Sequence, residues 1–149
     1  MTQPEAPAEV RLQDVPARLF LESQDHQHDL IRELMLIEIG ERFDLTDLNV
    51  PQQLAKLISD ILNRYADVRW VTRQQALRAL DQGEELVTMT VPVRPGMADA
   101  LREWLRLLEE ADRFCEQGDL LTLAARPAVR QLRRWYVREI VSRLPSEMP

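Results

Sequence analysis

Clustered glycine, a second cysteine and more than a single lysine are what this chain of 149 residues does without. Its four glycines, Gly40, Gly83, Gly96 and Gly118, lie far apart, each where an apolar periodic run starts or stops. That spacing suits helix ends and excludes the P-loop and the dinucleotide fingerprint, which need grouped glycines so that backbone can approach phosphate. The single Cys115 rules out an internal disulfide, and no early apolar stretch resembles a signal peptide or a membrane span, so a cytoplasmic location is expected. Among 19 basic residues only Lys56 is lysine, which speaks of a G- and C-rich genome rather than of a mechanism. A net charge of −6 opposes general nucleic-acid binding.

What is present is mostly helical periodicity, in a length that suits one domain with one core. Residues 1–13 carry two prolines and little apolar content and read as a flexible tail; residues 14–145 read as the folded domain, and 146–149 as a short C-terminal tail. The first helix runs from Pro16 to about Ile39, and the second from Pro51 to about Val68, with Leu54, Leu57, Ile58, Ile61, Leu62 and Tyr65 on one stripe. A short helix follows, capped by Thr72 and stopped at Gly83. From Met97 to Gln117, Met97, Ala100, Leu101, Trp104, Leu105, Leu108, Ala111 and Cys115 share an arc, so the thiol reads as a buried, inert packing group. A last helix from about Pro127 to Leu144 turns Val129, Leu132, Tyr136, Ile140 and Leu144 inward. Residues 86–93, "LVTMTVPV", alternate like a strand, but no second strand of equal quality is visible. They read either as an extended connector or as an edge that pairs across a dimer. The fold class expected is therefore an all-α bundle of four main helices and one short one.

Both histidines stand in "ESQDHQHDLIRE", residues 22–33. Ser23, Gln24 and Gln27 interrupt the apolar arc that Phe20, Leu30, Ile31, Leu34 and Met35 define. His26 and His28 diverge by about 200° on a helix and cannot clasp one ion, so no metal site is expected. No nucleophile or acid–base pair completes a catalytic set either, and no cofactor is implied. The segment is a solvated turn, a partner surface, or a polar pocket formed by Ser23, Gln24, Gln27 and His28, because buried polar groups need partners that a ligand can supply.

Residues 126–144 hold six arginines against one acid, a local +5 in a chain of net charge −6. Arg126, Arg130, Arg134 and Arg138 recur every fourth residue, with Trp135 turned outward from the apolar stripe. Such a row suits phosphate contact, an acidic protein partner, or internal pairing with Glu103, Glu109, Glu110, Asp112 and Glu116 of the preceding helix. The expected partner surface is Arg130, Arg134, Trp135 and Arg138, facing an acidic protein rather than nucleic acid or membrane.

The stretch "LLEEADRFCEQGDLLTLAARPAVRQLRRWYVREI", with "HDLIRELMLIEIG" and "VTMTVPV" in matching order, resembles small helical actinobacterial proteins associated with partner-switching regulators, the STAS-domain antagonists and anti-sigma-type ATPases. The matching positions are Arg32, Glu33, Glu110, Asp112, Cys115, Gly118, Arg134 and Trp135. The resemblance brings no catalytic signature and implies a regulatory role. Asp112 lies at the stripe margin, within reach of an arginine from the last helix. The expectation is a non-enzymatic cytoplasmic regulatory or protein-interaction module, with a small-ligand sensor using the polar break of the first helix as the alternative. A homodimer is expected from Leu36, outside the apolar arc, and from the unpaired edge of residues 86–93.

Overall fold

Val10, Leu12 and Val15 all face the core, although a regular strand would send the third to the other side. They belong to β1 (Glu9–Pro16), the first element of a computed structural model that describes residues 9–42 and 52–144. β1 pairs antiparallel with β2 (Leu86–Pro92), matching Val10 with Val91 and Leu12 with Met89, then Val15 with Val87. The register slips between Leu12 and Val15, where β1 carries one extra residue and Asp14 takes φ 58°. This bulge returns Val15 to the inner face.

Two expectations are corrected here. Residues 9–13 are strand rather than tail, and residues 86–93 are not an isolated connector or a free edge. The other side of β2 is occupied too: the Gln75 amide donates to the Thr90 carbonyl at 2.7 Å and accepts from the Thr90 N–H at 2.8 Å. The fold is mostly helical with a two-stranded sheet, not purely α. The start of the expected tail and the C-terminal residues 146–149 lie outside the described residues.

α1 (Ala17–Arg42) starts directly after Pro16, and its first N–H donates to the Glu85 carbonyl at 2.9 Å, tying the helix to the end of the sheet. It buries Phe20, Leu30, Leu34 and Ile37; Met35, expected in this arc, is exposed, as is Leu36. The expected second helix divides. α2 (Gln52–Arg64) ends before Tyr65, whose φ of −112° and ψ of 25° break the helix, and α3 runs Ala66–Asp81. Thr72 is thus not a cap. It lies mid-helix and buried, its hydroxyl donating to the Val68 carbonyl one turn back at 2.9 Å, the alternative that threonine side chains offer to capping. Gly83, at φ 77°, reverses the chain toward β2.

α4 (Met97–Glu116) and α5 (Pro127–Arg143) match their periodicity, with Leu107 fully buried in place of half-buried Leu105. α5 buries Val129, Leu132, Arg133, Val137 and Ile140, while Tyr136 and Leu144 are half-buried. α1 packs on α2, α3 and α5; α4 packs on α2 and α5; α3 covers the sheet. Among the described residues no helix is long and apolar enough to cross a membrane.

Candidate functional site

The polar break of α1 faces inward. Ser23, Gln24 and Gln27 are buried, although their stripe continues the one that holds Phe20 and Leu30. Part of their hydrogen bonding is met locally: Gln27 Nε2 donates to Ser23 Oγ at 3.2 Å, and Gln24 Nε2 reaches the Arg69 carbonyl and Thr72 Oγ1 at 3.3 and 3.4 Å. The same three residues line a cavity of about 60 Å³ to which α1, α2, α3, α4 and α5 all contribute. Its apolar wall comes from Ile61 and Leu62 of α2 and from Met97, Ala100, Leu101 and Trp104 of α4. Its polar wall adds Arg69 and Thr72 of α3 and Arg133 and Tyr136 of α5 to the α1 residues.

Three buried N–H groups have no hydrogen-bond partner among the described residues: Arg69 Nε, Trp104 Nε1 and Arg133 Nε. All three residues line this cavity. An unmet buried donor costs about 1–3 kcal/mol, and native structures hold few of them, so their concentration around one space calls for an acceptor there. Among the described residues no carboxylate, thiol or imidazole lines the cavity.

The two guanidinium groups differ in charge balance. Arg133, 2% exposed, places Nη1 2.9 Å from Asp112 Oδ2, and Asp112 is 1% exposed. Arg69 has no carboxylate partner among the described residues. Burial works against its charge first, Arg73 repels it, and together they lower its pKa below the usual arginine range. A guanidinium still keeps its proton. Burial also pushes the Tyr136 phenol well above its ordinary range, with the Arg69 charge acting the other way.

The histidines part company. His26 bridges: its Nδ1 lies 3.3 Å from Arg133 Nη2 and its Nε2 2.7 Å from the Leu123 carbonyl. Because guanidinium nitrogen only donates and a carbonyl only accepts, the ring is the tautomer with hydrogen on Nε2. His28 is exposed in an open groove with Asp25, Arg32, Trp70 and Arg73, outside the cavity that holds Ser23, Gln24 and Gln27. Gln24 and Arg69 line both spaces. Among the described residues no three His, Cys, Asp or Glu side chains are placed to hold a metal ion.

The arginine row is largely paired within the chain. Arg126 grips Glu22 through two bonds of 2.6 Å, Arg130 approaches Asp112 and Glu116 at 3.5 and 3.4 Å, and Arg134 meets Glu109 at 2.7 Å. Arg138 is exposed and makes no ion pair among the described residues. Trp135, expected to point outward, is half-buried beside Asp14, Pro16 and Leu19. It does lie opposite the apolar stripe, as in a bare bundle, but the junction of β1 and α1 covers that side.

Cys115 is buried, and burial, with Asp112 and Glu33 adding to it, pushes its thiol up to about 11. Sequence reasoning missed Arg69, Trp104 and Arg133 as site residues. Arg133 carried a signal, since it stands between Val129 and Val137 at four-residue spacing, inside the apolar stripe. No protein-family model, curated protein or solved structure matches this chain.

Proposed function

We propose that this chain is a non-catalytic sensor domain that binds a small molecule in the cavity between its helices. One observation carries the reading: three residues that each hold an unmet buried N–H donor line a single, mostly apolar space. A few placed polar groups in an apolar cavity are the usual chemistry of a small-ligand site, and the lining offers donors to recognise with but no acid–base pair to react with. A buried, unreactive thiol as the sole cysteine suits the reducing cytoplasm.

The test is a thermal-shift screen of small metabolites against the parent and Ala100→Leu. Ala100 is buried against the cavity, so the added carbons fill the space. Compounds that raise the parent's Tm and leave the filled variant unmoved support the reading; compounds that raise both equally, or none at all, contradict it.

A regulatory module that works through a protein partner is the second reading, and a different observation favours it. Glu33 accepts from the Leu121 and Thr122 N–H groups at 2.5 and 2.7 Å, and His26 holds the Leu123 carbonyl. This pinned loop nevertheless leaves Leu121 and Leu123 91% and 83% exposed, an apolar display that suits contact with another surface. A second copy of the chain is the simplest occupant: sedimentation equilibrium then gives a dimer that a Leu121→Ser, Leu123→Ser variant loses. A 17.4 kDa species for the parent at tens of micromolar ends this reading.

A further inference from the structure

We infer that the ligand of this cavity is a short-chain monocarboxylate, held by its carboxylate at Arg69, Arg133 and Trp104 and by its hydrocarbon against the α2 and α4 wall. The inference rests on the sensor reading and narrows it to a chemical class.

Charge sets the first limit. Asp112 already balances Arg133, whereas Arg69 lines the cavity with no carboxylate partner among the described residues. A partly buried, unbalanced cation is costly, and an entering anion of one charge removes the imbalance. A dianion such as phosphate would leave a surplus negative charge in a space whose remaining polar lining is neutral, namely Ser23, Gln24, Gln27, Tyr65, Thr72 and Tyr136. Geometry sets the second. The unmet groups are all donors, and a carboxylate is acceptor-only, with lone pairs enough for three of them. Guanidinium nitrogens also match carboxylate oxygens in plane and spacing better than they match a spherical anion.

Size sets the third. About 60 Å³ is less than half of the roughly 150 Å³ that admits a benzene ring, so the fit is to an acid of about two to four carbons rather than to an aromatic or long-chain one. The wall of Ile61, Leu62, Leu101 and the Trp104 ring suits the alkyl end. Gln24 and Arg69 line the outer groove as well as the cavity.

The experiment is isothermal titration of the full chain with butyrate and with butyramide, its uncharged isostere, repeated on Arg69→Met and Trp104→Phe. The expected result is saturable butyrate binding, with butyramide at least about tenfold weaker. Arg69→Met then weakens butyrate at least about tenfold and leaves butyramide within about twofold, while Trp104→Phe weakens both, because it deletes an N–H that serves either carbonyl. Butyramide binding as tightly as butyrate overturns the carboxylate assignment and leaves the sensor reading intact. Binding of neither probe, by a parent that is folded by circular dichroism, overturns the carboxylate assignment; the sensor reading itself then stands or falls by the metabolite screen. Butyrate binding that survives Arg69→Met also overturns it. Should Arg69→Met fail to fold, Trp104→Phe tests the assignment by itself: butyrate affinity unchanged in that variant overturns it.

Discussion

Arg133 Nη1 and Asp112 Oδ2 lie 2.9 Å apart between α5 and α4, each residue at most 2% exposed. The pair joins three further groups: Asp112 Oδ1 accepts the Ala125 N–H at 3.1 Å, Arg130 lies 3.5 Å from Oδ2, and Arg133 Nη2 meets His26. Removing the acid strands a buried guanidinium. Asp112→Ala is expected to cost about 3–5 kcal/mol in urea denaturation. The double variant Asp112→Leu, Arg133→Met is expected to recover most of that loss, because an apolar pair of similar volume needs no compensation. Equal destabilisation by the single and double variants would contradict the account.

Alkaline stability follows from Cys115. Its thiol pKa is raised from the ordinary 9.0 to about 11 in the folded chain, so the folded state holds its proton over a range where the unfolded state releases it. Stability is therefore full below about pH 9 and falls as pH rises toward 11, by on the order of 2 kcal/mol from this group. Tyr136, raised in the same direction, extends the fall at higher pH. Urea midpoints measured from pH 7 to 11 on the parent and Cys115→Ala check this, since the variant is expected to lose less over that range. Alkylation of the folded parent by iodoacetamide at pH 8 is expected to be slow.

Asp14 tests the strand bulge. At φ 58° it occupies a region that aspartate tolerates and a β-branched side chain does not. Asp14→Val is expected to lower stability by about 1–2 kcal/mol, and Asp14→Gly to change it little. Thermal denaturation that ranks valine equal to glycine would show that the bulge is not formed.

How much of this was legible depended on interruption. α4 was readable because its stripe runs between Gly96 and Gly118, and α5 because Pro127 marks its start and Arg133 alone interrupts the buried face. Ser23, Gln24 and Gln27 were readable as candidate pocket residues because they break a stripe; His28 was grouped with them by proximity in sequence, though it turns about 100° per residue away. β1 was not readable, because its bulge leaves only Val10 and Leu12 in simple alternation before Gln13 and Asp14 spoil it. The break at Tyr65 has neither glycine nor proline to mark it. Trp104 looked like core and Arg69 like surface, since periodicity records which way a side chain points and not whether its N–H finds an acceptor.

Arg69 carries a trade between stability and binding. With no ligand present its charge opposes folding, so Arg69→Met is expected to gain about 1 kcal/mol, a rise of about 2–4 °C in Tm, while losing carboxylate affinity. Scanning calorimetry without added carboxylate checks the first half. A lower Tm would mean that the guanidinium is balanced within the fold and that the cavity needs no anion.

The most direct test of a ligand-binding cavity is the indole N–H signal of Trp104 in proton–nitrogen correlation spectra during titration with butyrate and butyramide. Trp104 lines the cavity and its Nε1 is buried without a partner among the described residues, whereas Trp70 is 64% exposed and serves as the control in the same spectrum. The account predicts a saturable downfield shift of the Trp104 signal as its N–H gains an acceptor, with Trp70 unmoved. A Trp104 signal that stays fixed, or drifts in step with Trp70, would contradict it.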